Sequence, residues 1–203
     1  MSEHADRLDR QFDFIKEIDK EKGVIRRNYI TCADRRETDS DHAWHLAMMT
    51  LLLGEYSDQP IDLLRTVTMV LLHDLVEIDA GDTFAYDEKA RIGQHDREQR
   101  AADRIFGLLP EDQAARLRGI WEEFEARESA EAVFARAMDC IQPLMLNDAT
   151  DGRAWREHGV RLSQVLRRNA ATGSASKELW DYARERFIES NVRNGNLIDD
   201  TKQ

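Results

Sequence analysis

VTMVLLHDLVEI, residues 67–78, is apolar on nearly every side of a helix yet carries His73, Asp74 and Glu77 in its second half. A helix that is hydrophobic all round belongs in the middle of a bundle. VTMVLL alone would also suit a strand. The uninterrupted pattern from about Pro60, a good first-turn residue, to Ile78 is long enough to favour helix. Isolated charged groups inside such a helix cost on the order of several kcal/mol each, so they must be paired or ligate something. On a helix, His73 and Glu77 are four residues apart and Asp74 and Glu77 three, so these side chains can converge on one edge. His73 and Asp74 diverge by about 100° and can straddle an ion set between helices. A lone His-Asp dipeptide fits a buried ion pair or a hydrogen-bonded core histidine as well, so its neighbours decide.

Outward from this segment the helical pattern repeats. Glu3 to about Lys20 places Leu8, Phe12, Ile15 and Ile18 near helical spacing, and Gly23 ends the run. Val24 to Thr38 has no clear period and carries Arg26–Arg27 and Arg35–Arg36, which reads as a loop beside the site. Capping residues at Thr38–Asp41 open a helix to about Tyr56, with Trp44, Met48, Leu51 and Leu52 lining one face. Residues 79–85 read as a turn, followed by helices from about Asp87 to Phe106 and from Pro110 to about Arg127. Ser129 can cap a helix that turns Val133, Phe134, Ala137, Met138 and Ile141 toward the core. Pro143 lies four residues past Asp139 and would remove the partner of that residue's carbonyl. A loop at Asn147–Gly152 and amphipathic helices over about Ala154–Arg168 and Ser176–Val192 complete the chain. No repeat, low-complexity tract or linker interrupts it. The expectation is an all-α fold, one compact multi-helix bundle over residues 1–203.

Composition agrees: 203 residues can bury a real core, and 41% hydrophobic with 34% charged residues is globular rather than disordered. Only 3 prolines and 10 glycines interrupt a chain rich in helix formers. A formal net charge of −11 argues against a polymeric nucleic-acid partner, which needs a basic face. It leaves room for a small anion held by a local arginine cluster or a metal. Cys32 and Cys140 form no metal-type pair, and no secretory segment follows Met1, so a reducing cytoplasm is the simplest assignment. The longest apolar runs, Thr50–Leu53 and Met69–Leu72, are too short to span a bilayer, so no membrane association is expected.

Two further segments give the His-Asp pair its company. DSDHAWH at 39–45 opens one apolar helix, and AMDC at 137–140 lies inside another. The order His42, then His73–Asp74, then a distant Asp139 resembles the HD superfamily of metal-dependent phosphohydrolases. More closely, RRETDSDHAWHLAMMTLLL (35–53), MVLLHDLVEIDAGDT (69–83) and EFEARESAEAVFARAMD (123–139) resemble successive motifs of the HD-domain 5′-deoxynucleotidases and their relatives. The resemblance spans about residues 20–145, with the C-terminal helices expected to pack on that core.

The resemblance implies that His42, His73, Asp74 and Asp139 hold one divalent metal. Two imidazoles and two carboxylates suit Mn²⁺, Co²⁺, Fe²⁺, Ni²⁺ or Zn²⁺ better than Mg²⁺. Glu77 and Asp82 match functional positions of the nucleotidase group and are assigned to positioning the attacking water and moving protons. Support of the ligands and capping of the loop is the plainer alternative. Arg26 and Arg27 lie where the group supplies a phosphate-binding arginine, and the sequence does not choose between them. Asn28 stands where nucleotidases often carry a tryptophan associated with the sugar. Arg35 and Arg36 fit surface pairs with Glu37 or Asp41. His45 fits a core position or a place behind the ligands, His4 and His158 fit solvent, and Cys140 fits a small buried residue. His95 is the only histidine between Asp74 and Asp139, whereas two-metal HD proteins carry more there, so a mononuclear site is expected.

The activity implied is hydrolysis of a nucleoside 5′-monophosphate, a deoxynucleotide above all, to nucleoside and phosphate. Another phosphate ester or a guanosine tetraphosphate-type alarmone is the enzymatic alternative, and a metal-bound nucleotide sensor the non-catalytic one. The HD-GYP signature of cyclic dinucleotide cleavage is absent. Relatives of this kind commonly form dimers, so a homodimer is expected.

Overall fold

Thr38 begins the central architecture, because its hydroxyl accepts a bond from Asp41 N (3.2 Å) while Asp41 Oδ2 accepts one from Thr38 N (3.0 Å). This reciprocal cap fixes the start of α2 (Asp39–Leu53) and turns His42 inward in its first turn. A computed structural model describes residues 3–86 and 92–201. The other elements are α1 (Glu3–Ile18), β1 (Ile25–Tyr29), β2 (Arg36–Thr38), α3 (Leu63–Leu72), α4 (Glu77–Ala80), α5 (Gln94–Phe106), α6 (Glu111–Ala126), α7 (Ala130–Ala149), α8 (Arg153–His158), α9 (Leu162–Arg168), α10 (Lys177–Ala183) and α11 (Ser190–Arg193). Helix α7 lies against α2, α3 and α6, and the interior is filled by Leu46, Met69, Phe106, Trp121, Phe124, Phe134, Met138 and Leu144. Burying each such side chain stabilises the fold by about 1.5–3 kcal/mol. No helix among the described residues is long and apolar enough to cross a membrane.

The all-α expectation holds apart from one small ribbon. In place of the expected loop over Val24–Thr38, β1 and β2 pair antiparallel, with Ile25 opposite Thr38 and Tyr29 opposite Arg36. Strands this short leave almost no period-two signal. The helix expected from Asp87 begins at Gln94, after Gly93 in a left-handed turn (φ 69°), and Asp87–Arg91 lie outside the described residues. Helix α7 runs through Pro143 and on to Ala149 rather than stopping at Asn147, whose side chain donates to Pro143 O (2.9 Å). The expected helix over 154–168 is split into α8 and α9 at Gly159 (φ 58°). The last expected helix contains a wide turn over Arg184–Glu189 between α10 and α11.

Two apolar stripes face away from the core: Trp44 (64% exposed), Met48, Leu51 and Leu52 (66%) of α2, and Leu8, Phe12 and Ile15 of α1. The buried side of α2 is instead Asp39, His42, Ala43, Leu46, Met49 and Thr50, because α2 must present its polar groups to the site.

Candidate metal centre

Helix α3 stops one residue before the His-Asp pair, which the sequence placed inside a continuous helix. Leu75 N, Glu77 N and Ile78 N each bond the carbonyl three residues back, on Leu72, Asp74 and Leu75, so the chain tightens across residues 73–76 before α4 resumes. A tightened stretch within a helix often marks a functional segment. The carbonyl of His73, which Glu77 N would take in a regular helix, accepts instead from Trp121 Nε1 (3.2 Å). The indole thereby holds the pair from behind.

This geometry brings all four sequence-expected ligands together. His42 Nε2 lies 3.1 Å from Asp139 Oδ1 and 4.0 Å from Asp74 Oδ2. His73 Nε2 lies 3.0 Å from Asp74 Oδ2 and 3.9 Å from Asp139 Oδ1. His73 Nδ1 donates to Val70 O (2.9 Å), which fixes the ring with Nε2 turned to the centre. Behind His42, Nδ1 stands 3.7 Å from Glu37 Oε2. His42, His73 and Asp139 bring ligand atoms within 4.8 Å of one another, and Asp74, which reaches the two imidazoles, also groups with Asp39 and Glu77. Two imidazoles and two carboxylates are a donor set that fits a borderline divalent ion.

Arg26 and Arg27 separate at this site. Arg26 donates to Asp74 Oδ2 (2.6 Å) and Asp39 Oδ1 (3.0 Å), and its Nε stands 3.6 Å from Glu37 Oε2. Arg27 lines the cavity and has no hydrogen bond or ion pair among the described residues. Glu37 and Asp39, both buried, are parts of the site that sequence reading missed, because RRETDSD was read only for capping and surface pairing.

Acids crowd this region, and burial raises several of them. Glu21 is pushed to about 7 by burial and then by Asp74 and Asp39. Glu37 reaches about 7 through burial, and Asp39 about 7 through burial and Asp74. Glu77 is held well above the ordinary range by burial beside Asp74 and Asp39, and burial raises Asp82. Burial, with Arg26, lowers His42 to about 4. For His73 burial pulls downward, but Asp74 and Asp139 prevail and lift it to about 9. Glu21 is not placed among the ligands, so it offers a clean test. Its folded value lies above the ordinary 4.5, so its favourable protonation is fully present below about pH 4.5 and lost as pH rises through 7. Glu21→Gln is therefore expected to leave stability unchanged near pH 4.5 and to raise it by about 2 kcal/mol at pH 8. Urea midpoints at the two pH values read this directly, and a loss at pH 8 would contradict it.

A cavity of about 150 Å³ opens beside the centre, and Glu77 and Asp82 line it together with His73, Asp74 and Asp139. Asn28 is also on its wall, its Oδ1 accepting from Asn147 Nδ2 (3.2 Å). Sequence reading missed three arginines there. Arg136 and Arg168 both reach Asp139 Oδ2, and Arg127 lies on the rim. Arg136, three residues before Asp139 on one helix, was findable by spacing; Arg127 and Arg168 come from separate elements and leave no local signal. Arg35 pairs with Asp41 as expected, whereas Arg36 reaches Glu157 (3.6 Å). His4 and His95 are exposed, and His158 is exposed with its ring 4.8 Å from Phe84. His45 meets the buried Gln142 at 3.3 Å, and Cys140 is buried.

The chain is similar in sequence and fold to known proteins. The family model of the HD domain matches residues 18–180. Human 5′-deoxynucleotidase HDDC2 is 33% identical over 133 residues, which is 65% of this chain and 64% of the human protein, so the match spans slightly less than two thirds of that relative. The mouse protein of the same name is 28% identical over 185 residues, covering 81% of this chain and 92% of its own. The crystal structure of a predicted metal-dependent phosphohydrolase from Magnetospirillum magnetotacticum MS-1 superposes with a TM-score of 0.92 at 45% identity, over 97% of this chain and 98% of that one. A conserved hypothetical protein from Pyrococcus furiosus, 20% identical with a TM-score of 0.57 over 85% of this chain and 99% of that one, shares the fold.

Proposed function

This chain belongs to the HD domain family, and from that membership we propose that it is a metal-dependent phosphohydrolase acting on nucleoside 5′-monophosphates, deoxynucleotides above all, to give nucleoside and inorganic phosphate. The observation that carries this reading is the cluster of His42, His73 and Asp139, with Asp74 Oδ2 reaching both imidazoles, at a cavity lined by His73, Asp74, Asp139, Glu77 and Asp82. Those four residues would hold one divalent ion from the Mn²⁺, Co²⁺, Fe²⁺, Ni²⁺ and Zn²⁺ group. Such an ion, when bound, lowers the pKa of a water molecule and neutralises phosphate charge. Arg27, with no hydrogen bond or ion pair among the described residues, is assigned to the substrate phosphate, while Arg26 balances the buried acids. Glu77, raised above the ordinary carboxyl range by burial beside Asp74 and Asp39, is assigned to moving a proton to the leaving alkoxide, and Asp82 to orienting the attacking water.

The test is phosphate release from deoxy- and ribonucleoside 5′-monophosphates by metal-stripped protein supplied with Mg²⁺, Mn²⁺, Co²⁺, Ni²⁺ or Zn²⁺ in turn. Metal-dependent release supports the reading, and the deoxy-to-ribo ratio reports what Asn28 does to sugar choice. Turnover of alarmones alone, or tight nucleotide binding without turnover, would replace it with another ester hydrolase or a sensor.

The same proposal makes the protein a cytoplasmic homodimer with no nucleic-acid or membrane partner, supported by two unpaired cysteines, a net charge of −11 and the outward stripe of α2. Trp44, Met48, Leu51 and Leu52 lie along α2, which packs on α3, where Leu64 (77% exposed) and Leu71 are also uncovered. Uncovered apolar stripes of this kind mark interaction faces. Light scattering should give twice 23.5 kDa for the wild type and 23.5 kDa for Trp44→Glu/Leu52→Glu. A monomeric wild type would remove the dimer.

A further inference from the structure

Arg127 ends α6 with φ 57° and ψ 36°, in the left-handed region. That position after a helix is where glycine is preferred, because any side chain adds strain. The chain nevertheless keeps an arginine there, on the cavity rim, with no side-chain hydrogen bond or ion pair among the described residues. Arg136 of α7 and Arg168 of α9 line the same cavity, and both direct their guanidinium groups at one atom, Asp139 Oδ2. The other oxygen of Asp139 is already engaged by His42 Nε2 at 3.1 Å. Two guanidinium groups thus share one oxygen of Asp139 and a third stands on the same cavity wall, with Glu125 offsetting part of the charge. Arg127 is exposed at the rim, and partial burial of its guanidinium and then Arg136 lower its pKa, with Glu125 opposing and Arg168 adding to the effect. Holding Asp139 in aim would account for Arg136 and Arg168 but not for a strained, unpartnered Arg127. Planar, fork-shaped donors gathered at a cavity wall fit the oxygens of a phosphate group.

We propose that Arg127, Arg136 and Arg168 form a phosphate-binding subsite on the cavity wall beside Asp139, separate from Arg27, that takes a phosphate group of the substrate. The inference rests on the hydrolase reading for the substrate's identity alone. That phosphate is either the one cleaved or a second one carried elsewhere on the molecule.

Titration of the full-length chain with inorganic phosphate, with and without Mn²⁺, tests the subsite apart from turnover. Arg127 touches none of the four metal ligands, so Arg127→Gln isolates it. Loss of one charge-assisted contact is expected to weaken phosphate binding about tenfold or more. Arg127→Gly is expected to weaken binding equally while raising Tm by a few degrees, because glycine relieves the left-handed strain. A Tm that falls in Arg127→Gly with phosphate affinity unchanged would make Arg127 merely structural and overturn the proposal. The source of the phosphate is read from KM for a deoxynucleoside 5′-monophosphate and its 3′,5′-bisphosphate. A KM rise in Arg127→Gln for both assigns the subsite to the cleaved phosphate, and a rise for the bisphosphate alone assigns it to a second one. Unchanged affinity and unchanged KM for both would sink it. Arginine-dependent phosphate binding without any nucleotide turnover would keep the subsite and reject the nucleotidase reading.

Discussion

Asp74→Ala is expected to reduce phosphate release by about 10³-fold or more and to strip the bound metal in the same variant. A divalent ion contributes on the order of several kcal/mol to phosphoryl transfer, and each 1.36 kcal/mol is tenfold in rate. Asp74 Oδ2 is the oxygen that faces both imidazoles, 3.0 Å from His73 Nε2 and 4.0 Å from His42 Nε2. Its loss leaves two histidines and Asp139. The same oxygen accepts from Arg26, so the substitution also frees that cation beside the vacated position, which further opposes a metal ion. Elemental analysis of the purified variant should therefore show metal content falling together with activity. A far-UV spectrum and a urea midpoint near wild type separate this outcome from unfolding, and Asp74→Asn, of the same shape, should behave alike. Full metal occupancy with retained turnover would remove Asp74 from the centre.

The order of the proposed ligands was legible because each stands in a stretch of apolar sequence, where a charged residue stands out against its neighbours. What the helical pattern could not convey is how the ligands converge. Helical arithmetic set His73, Asp74 and Glu77 along one edge of a continuous helix, whereas a tightened stretch over 73–76, held by Trp121, aims the pair. A local change from bonds four residues back to bonds three residues back hardly disturbs apolar spacing, so it leaves no trace in sequence. The choice between Arg26 and Arg27 depended on β1, a five-residue strand paired to one of three. Both arginines line the cavity, but neighbours on a strand point to opposite sides, so the mostly buried Arg26 enters the acid cluster while Arg27 stays exposed. Periodicity also gives a helix face without its direction. The bulky stripe of α2 was the natural candidate for the core, yet the site took the opposite side, with Asp39 and His42 on it. The arginines beside Asp139 come from α6, α7 and α9, and only tertiary folding assembles them.

Arg26→Met is expected to destabilise the metal-free protein by about 3–5 kcal/mol, because breaking a buried ion pair from one side leaves uncompensated charge inside. The guanidinium is 12% exposed and stands among Glu37, Asp39 and Asp74, of which Glu37 and Asp39 are almost wholly buried. Methionine keeps much of the stem's packing, so the loss reports charge more than volume. The cost must depend on pH, and the sign follows from the acids. Glu37 and Asp39 already titrate at about 7, above their ordinary values, and removing the neighbouring cation raises both further. Groups with raised folded values contribute stability when protonated and lose it as pH rises through those values. The variant should accordingly lose less at pH 6 than at pH 8, and Mn²⁺, by placing positive charge beside Asp74, should recover part of the loss at pH 8. Urea midpoints at both pH values, with and without Mn²⁺, measure all three effects. Arg27→Met is the matched control: its side chain is exposed and makes no ion pair among the described residues, so stability should stay within about 0.5 kcal/mol of wild type while KM for the nucleotide rises. Equal losses from the two substitutions, or a loss in Arg26→Met that ignores pH, would mean that Arg26 is not the counter-charge of the buried acids and that the division of labour between the adjacent arginines is wrong.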